Sequence, residues 1–440
     1  MPDRPPHVVI VVVNLPAERD RRVIRQCRAL EEAGYRVTVI CPRGSGDPGV
    51  LPGTERTAVR PFRQPFAGSG VLSFAAEFAW ALVAVTGRLL ALMLRTRVDA
   101  VQTCNPPDVF WIVGLLLRAA GRPFVFDHHD LSPELYECKT DRPRRGVLRL
   151  LRIFEKLSWR CASAVIATNQ SYRDLAISRG GCDPDRVVVV RNGPTLAEVG
   201  GPPGTSPPAA RQNPAPRQNP AHRPASAWRG STPPQTIVYL GVINEQDRVD
   251  LAVLAAERLV ELRGDADWRL VVAGDGECLP PLRRLTEDRG LTDVVRFTGW
   301  LEPDQVNSLL HSASIALQPD PPTRMAELST MAKTVEYLGR GLPVVAVDLL
   351  ETRRTAGAAA SYVPTGSPDE LAAELDRLLD DPDRRAGMRD IARRRFADQL
   401  AWDHQARSYI DLWNRLIRPD TPGNQPPTPT PIGDTSALTT

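Results

Sequence analysis

Short, almost wholly apolar runs alternate with amphipathic stretches of helical period through most of the chain, the pattern of parallel strands covered by helices on both faces. Val8 to Val13 predicts the first strand. Asp20 is placed to cap the next helix, Val23, Cys27 and Leu30 share its buried face, and Gly34 stops it. Tyr35 to Ile40 predicts the second strand and completes a βαβ unit. Further strands are expected at Ala100 to Thr103, Pro123 to Phe126, Ala164 to Thr168 and Val187 to Val190. The rhythm returns at Thr236 to Leu240, Arg269 to Val272, Val294 to Phe297, Ile315 to Leu317 and Val344 to Val347. The expected fold class is α/β, a doubly wound sheet made twice, with ligands outside the carboxyl ends of the strands in the cleft between the sheets.

Between the halves, Thr195 to Gln235 contains RQNPAPRQNPA and almost no large apolar residues. Such a composition cannot offset its ordering entropy, which predicts a disordered spacer; a Pro-rich recognition motif is the alternative. Residues 419–440 are similarly rich in Pro and Thr, while Trp402 to Ile417 has the apolar spacing of a helix that docks on one of the domains. The expected organisation is a first domain at 1–194, a linker at 195–235, a second domain at 236–400, a docking helix at 401–418 and a loose tail at 419–440.

The 440 residues, 42% hydrophobic, suffice for two cores. A net charge of +3, with basic residues scattered among nearly as many acids, excludes a nucleic-acid footprint. Seven cysteines without CxxC or Cys/His ligand spacing argue against disulfides and structural zinc and fit a reducing cytosol. The opening MPDRPPHVVIVVVN is too brief an apolar run for a secretory leader, so a cytoplasmic protein is expected. Val71 to Leu94 is the one stretch with membrane character, and its Glu77 and Arg88 favour a pair of buried or interfacial helices over a span. The cluster Arg142, Arg144, Arg145, Arg149 and Arg152 reads either as a solvated helix face or as a contact for anionic lipid on the inner face of a membrane.

Candidate chemistry concentrates in STMAKTVEYLGRGLPVVAVD, Ser329 to Asp348, which reads as helix, glycine turn and buried strand. On a helix Met331, Val335 and Leu338 fall on a packing face, while Ser329, Lys333 and Glu336 fall together on the other. Ser329 or Thr330 is placed to cap the helix, so its unpaired N–H groups beside Lys333 form an anion site. Glu336 lies about 10 Å along the axis from Ser329, close to the reach from a diphosphate to ribose hydroxyls. The alternative is a surface helix bearing a solvated Lys–Glu pair. Other strand ends add candidates. FDHHDLSPELYE collects Asp127, His128, His129, Asp130 and Glu134, a set able to bind or deprotonate a sugar hydroxyl, with a helix cap and structural histidines as the alternative. Adjacent histidines on a strand point to opposite faces and make poor joint metal ligands. CNPPD presents Asn105; AGDGE presents Gly274 and Gly276; FTGW presents Trp300 as an aromatic wall for a base.

In this order the pieces DRRVIRQCRALEEAGYRVTVI, FDHHDLSPELYE, VVRNG, VVAGDGE, VRFTGWL and KTVEYLGRGLPVVAVD resemble the GT-B glycosyltransferases of family 4, over Val8 to Asn192 and Thr236 to about Ile417. The resemblance implies two Rossmann-like domains facing across a cleft. It also implies a nucleoside-diphosphate sugar as substrate in the C-terminal domain, a glycan, lipid-linked or small-molecule acceptor in the N-terminal one, retention at the anomeric carbon, and no cofactor or required metal. Glu336 then binds the donor ribose and Lys333 the departing diphosphate. His129 and Asp130 position the reacting sugar, and Asn105, Asp127 and Glu134 face the acceptor. The chain departs from the family twice. The first glutamate of Glu-x7-Glu is Leu328 here, leaving Glu327 or Ser329 to reach the sugar; and Val242 and Asp247 stand where many relatives carry an Arg and a Lys, leaving Lys333, the helix start, Arg248 or Arg324 to supply positive charge. Competing readings are a GT-B phosphorylase or epimerase, or a weakly catalytic sugar-nucleotide-binding scaffold. An NAD-dependent oxidoreductase is disfavoured, because neither half carries Gly-x-Gly-x-x-Gly into its first helix.

Overall fold

The computed structural model describes residues 4–44, 49–65, 71–140, 142–200, 234–264 and 267–418; most of the expected linker and the expected tail lie outside the described residues. The N-terminal lobe runs β1 (His7–Val11), α1 (Arg21–Glu32), β2 (Arg36–Pro42), β3 (Ala58–Phe62), α2 (Val71–Arg95), β4 (Ala100–Cys104), α3 (Trp111–Ala119) and β5 (Phe124–His128). It continues through α4 (Ser132–Cys138), α5 (Arg145–Cys161), β6 (Ala164–Ala167), α6 (Gln170–Ser178), β7 (Val187–Val189) and α7 (Leu196–Val199). The C-terminal lobe runs β8 (Gln235–Leu240), α8 (Val249–Arg263), β9 (Trp268–Ala273), α9 (Leu279–Asp288), β10 (Val295–Gly299), α10 (Pro303–Ser312) and β11 (Ile315–Gln318). There follow α11 (Arg324–Leu328), α12 (Ala332–Gly339), β12 (Val344–Val347), α13 (Leu350–Ala356), β13 (Ala360–Val363), α14 (Pro368–Leu379), α15 (Pro382–Arg395) and α16 (Trp402–Ile417).

Both sheets are parallel. Seven strands lie in the order β3-β2-β1-β4-β5-β6-β7 and six in the order β10-β9-β8-β11-β12-β13. Strand order reverses at β1/β4 in the first sheet and at β8/β11 in the second, and the loops leaving those strands open the crevice where such folds take ligands. The central strands are buried on both faces, which explains the apolar runs of β1, β6 and β12. Two strands carry no such run. β3 is an edge strand that tolerates Pro61, and β13 is the short ASYV.

Two expectations need correction, and a third becomes specific. Val71 to Leu94 lies in one helix of 25 residues, Val71–Arg95, not a pair, and its charges are satisfied without a break: Glu77 accepts from Gln64 and Arg88 Nε donates to Pro61 O at 2.9 Å. Within the expected linker, Thr195 and Glu198 close a capping box over α7. The docking helix α16 follows the C-terminal lobe in sequence but packs on the first: Tyr409, Leu412 and Trp413 share a core with Val23, Cys27 and Leu30.

Beneath the cleft a buried polar hub ties four elements of the first lobe together. Asp127, at the end of β5 and with no exposed surface, accepts from Arg22 Nη2 at 2.8 Å, from Gln26 Nε2 at 2.6 Å and from Gln102 Nε2 at 3.2 Å. Gln102 in turn accepts from Tyr409 Oη at 2.7 Å, which links α16 to β4. Burial alone would favour the neutral acid, yet the Arg22 charge and its hydrogen bonds outweigh it and hold the Asp127 carboxyl far below the usual range. The sign follows: the pair stabilises the fold above the unfolded carboxyl's pKa of about 3.9 and is lost as acid protonates Asp127 below it. Asp127→Asn is expected to cost roughly 3–5 kcal/mol by leaving Arg22 buried and unpaired, read as a lower melting temperature at neutral pH; an unchanged melting temperature would refute the hub.

Candidate functional site

Helix α12 is clamped over the β8/β11 switch point. Tyr337 Oη accepts from Leu240 N at 2.8 Å and donates to Leu317 O at 3.4 Å, and Thr334 donates to Gln318. The packing face lies where the periodicity puts it, with Val335 and Leu338 fully buried and Met331 partly so. Lys333 is not presented to solvent as its position on the polar face predicts. It is 8% exposed, and its Nζ lies 2.8 Å from Asp320 Oδ1, 3.7 Å from Asp247 Oδ1 and 3.3 Å from Tyr239 Oη. Burial would discharge the ammonium, but the two carboxylates outweigh it and raise its pKa, so Lys333 is charged and already held by acids. Asp320 Oδ2 is buried with no hydrogen-bond partner among the described residues.

Glu336 lies one turn on and looks across the cleft. It is ion-paired with Arg340 on its own helix and stands 4.0 Å from Arg21 of the N-terminal lobe. The flank bearing Lys333 and Glu336 thus faces strand ends and the opposite lobe, not bulk solvent.

Ser329 does not cap α12. The helix begins at Ala332, Met331 is its cap residue and makes no side-chain cap bond, because the chain between α11 and α12 is non-helical, with Ser329 and Met331 extended. Asn169 Nδ2 donates to Leu328 O at 2.9 Å, Tyr172 Oη and Ser329 Oγ share a bond of 3.1 Å, and Thr330 Oγ1 donates to Glu351 Oε2 at 3.2 Å. Glu351, fully buried on α13, also accepts from Ser171 N at 3.1 Å and Ser171 Oγ at 2.7 Å, capping α6 from the opposite lobe. Glu327 is spoken for as well, accepting from Leu350 N at 2.7 Å to cap α13.

The remaining donor-side candidates divide. Gly274 has φ +142°, and a Cβ there would meet Gly241 O at 1.8 Å; one at Gly276 would meet Ile243 O at 2.3 Å. These glycines let two loops touch at the switch point. Arg248 adopts φ +46° and pairs with Asp250 at 2.9 Å, and Arg324 lies 3.6 Å from Glu134 across the cleft. Trp300 is 68% exposed at the end of β10, an open aromatic surface.

On the acceptor side the sequence candidates come together, but most are structural. Asn105 is buried and stitches two loops: its Oδ1 accepts from His129 N at 2.5 Å and Asp130 N at 3.2 Å, and its Nδ2 donates to Asp130 O at 2.7 Å. Asp127 is the hub, and Glu134 is buried against Arg179 at 3.0 Å, so these three do not line open space. His129 Nε2 stands 2.9 Å from Asp127 Oδ2 and 3.1 Å from Arg22 Nε; since the guanidinium only donates, both cations must point at the one carboxylate. Burial opposes the imidazolium, but Asp127 outweighs it and raises the His129 pKa well above the usual range. Cys104, Asp127 and His129 bring ligating atoms within 4.8 Å of one another, yet the Arg22 charge on that carboxylate makes the group an ion-pair hub, not a cation site. Asp130 is partly exposed, burial raises its carboxyl pKa, and no described residue donates to its carboxylate. Below it, burial drives His128 down to about 3 and Glu155 up to about 8, so their 3.6 Å contact joins two neutral groups at neutral pH.

Residues 20–193 match the family model described as a Glycosyl transferase 4-like domain, and residues 234–381 match Glycosyl transferases group 1, together well over half of the chain. Among curated proteins, the chain is 30% identical over 158 residues to an alpha-D-kanosaminyltransferase of Streptomyces kanamyceticus, a match covering 36% of this chain and only 39% of that protein. It is 24% identical over 423 residues to the 2-deoxystreptamine glucosyltransferase of the same organism, covering 90% of this chain and 98% of the relative. Among solved structures, Anabaena HepE in complex with UDP-glucose superposes with a TM-score of 0.62 at 15% identity, covering 93% of this chain and all of that one. With two parallel sheets meeting at their carboxyl ends and both halves matched in order, the chain belongs to the GT-B glycosyltransferases of the family 4 type.

Proposed function

We propose that the protein transfers a sugar from a nucleoside-diphosphate sugar to a hydroxyl acceptor, with retention at the anomeric carbon. The observation that carries this is the flank of α12, which sets an ammonium at the β8/β11 switch point and a carboxylate one turn on, opposite Arg21. Glu336 suits paired hydrogen bonds from ribose hydroxyls, and Lys333 suits the oxygens of the departing diphosphate, where negative charge grows as the glycosidic bond breaks. The relatives named above act on or bind sugars and sugar nucleotides, which supports the donor class.

On the acceptor side Asp130 is the carboxylate available to a sugar hydroxyl. His129, charged and bonded to Asp127, cannot take a proton in this state; it orients the loop and adds positive charge. As the family resemblance implies, the acceptor proton passes to the leaving phosphate on the same face of the sugar. The latch through residues 328–330 and Glu351 holds the lobes together over the reacting atoms, which orients them and excludes water.

A second reading, a sugar-nucleotide-binding subunit with weak catalysis, is favoured by one observation: Lys333 already lies between Asp320 and Asp247. The two readings separate on measurement. Nucleoside diphosphates are expected to raise the melting temperature of the wild type in one base series and not that of Glu336→Ala; equal shifts in both proteins would remove Glu336 from the site. Turnover of the donor that gives the largest shift, followed by NMR of the product's anomeric coupling, distinguishes transfer with retention from binding alone. Asp247→Asn removes one acid competing with phosphate for Lys333. It is expected to tighten diphosphate binding several-fold by calorimetry, of the order of 1 kcal/mol, whereas weaker binding would mean Asp247 serves the ligand directly.

A further inference from the structure

The outer face of α2 reverses the usual rule for a helix on a protein surface. Its solvent side runs through Ala76, Trp80, Val83, Gly87, Leu90 and Leu94 at intervals of three and four residues, with no charge among them. Val83 is 66% exposed and Leu94 88%. Polar residues ordinarily fill such a stripe. The same side of the lobe continues the pattern on α3, where Ile112, Leu115 and Leu116 are exposed. On α5, Leu150 and Ile153 are exposed next to Arg145, Arg149 and Arg152. These helices share one face of the sheet, because their inner residues Val85, Val113, Leu117 and Trp159 meet in one core, while α1 and α16 cover the other face. The one acid on α5, Glu155, is buried.

We infer that this face is a docking surface for an anionic lipid bilayer, with α2 lying along it. The charge pattern selects the partner: exposed apolar residues on the same face as Arg145 and Arg149, on a helix that exposes no acid and whose Arg152 pairs with Glu137 at 3.3 Å, complement hydrocarbon beneath anionic headgroups. The helix, at about 37 Å, is long enough to cross a bilayer, and Ala75–Arg95 is apolar enough to do so. It lies flat because its other side is committed to the lobe, with Ala81, Val85 and Leu89 buried in the core and Arg88 bonded to Pro61 O. A scattering of single exposed leucines would carry no such meaning; three helices on one face of the sheet, each exposing large apolar residues, do.

The test is co-sedimentation of the full chain with vesicles of phosphatidylcholine alone and with added phosphatidylglycerol, at low and high salt. Binding is expected to the anionic vesicles, weakened by salt and by each of two variants, Leu90→Asp with Leu94→Asp, and Arg145→Glu with Arg149→Glu. Each arginine is expected to contribute about fivefold in affinity, and both variants should keep the wild-type melting temperature, since the altered side chains face solvent. No sedimentation with anionic vesicles, or equal sedimentation by wild type and both variants, would overturn the inference. So would a dimer, seen by light scattering, that the leucine variant dissolves, since the face would then meet a second copy of this chain.

Discussion

A carboxylate with no access to water has to find positive charge, and in this chain that need organises the acceptor lobe. Asp127 ends β5 inside the protein, and Arg22, His129, Gln26 and Gln102 converge on it from α1, the following loop and β4. Because Arg22 sits in the first turn of α1, the same pair fixes the start of that helix, and hence Arg21, opposite Glu336. A neutral residue at 127 would leave the switch point of the first sheet without its tie to α1.

The fold was legible wherever a strand is buried on both faces, since such strands are apolar runs whatever surrounds them. β1, β6 and β12 are of this kind, and Asp20 and Gly34 bracket α1 as their chemistry requires. β3 and β13 escaped because both are edge strands whose apolar runs are broken, by Arg60 and Pro61 in one and Ser361 in the other. The site was legible in outline only. Periodicity placed Lys333 and Glu336 together on one flank of α12, but could not show that Asp320, thirteen residues earlier, would take the lysine's charge. Nor could it reveal that Glu351 on α13 would cap a helix of the other lobe. Long-range polar pairs leave no local pattern. The one available signal for Asp320 was its position just past the end of β11.

The two sides of the cleft solve opposite electrostatic problems. The acceptor side surrounds one carboxylate with cations, while the donor side surrounds one cation with carboxylates. A diphosphate arriving at Lys333 must compete with Asp247, the weaker-held of the two acids at 3.7 Å. Where the family commonly places a lysine, an aspartate sets two carboxylates against the one ammonium.

Helix α16 returns to the first lobe after the chain has built the second, so the backbone passes between lobes twice. The two passages lie side by side, since Trp402 N donates to Pro194 O at 2.9 Å and Leu196 N to Asp403 Oδ2 at 2.8 Å. Two bodies joined by a pair of adjacent straps behave like the covers of a book: they swing about the spine, and sliding past one another or separating is denied them.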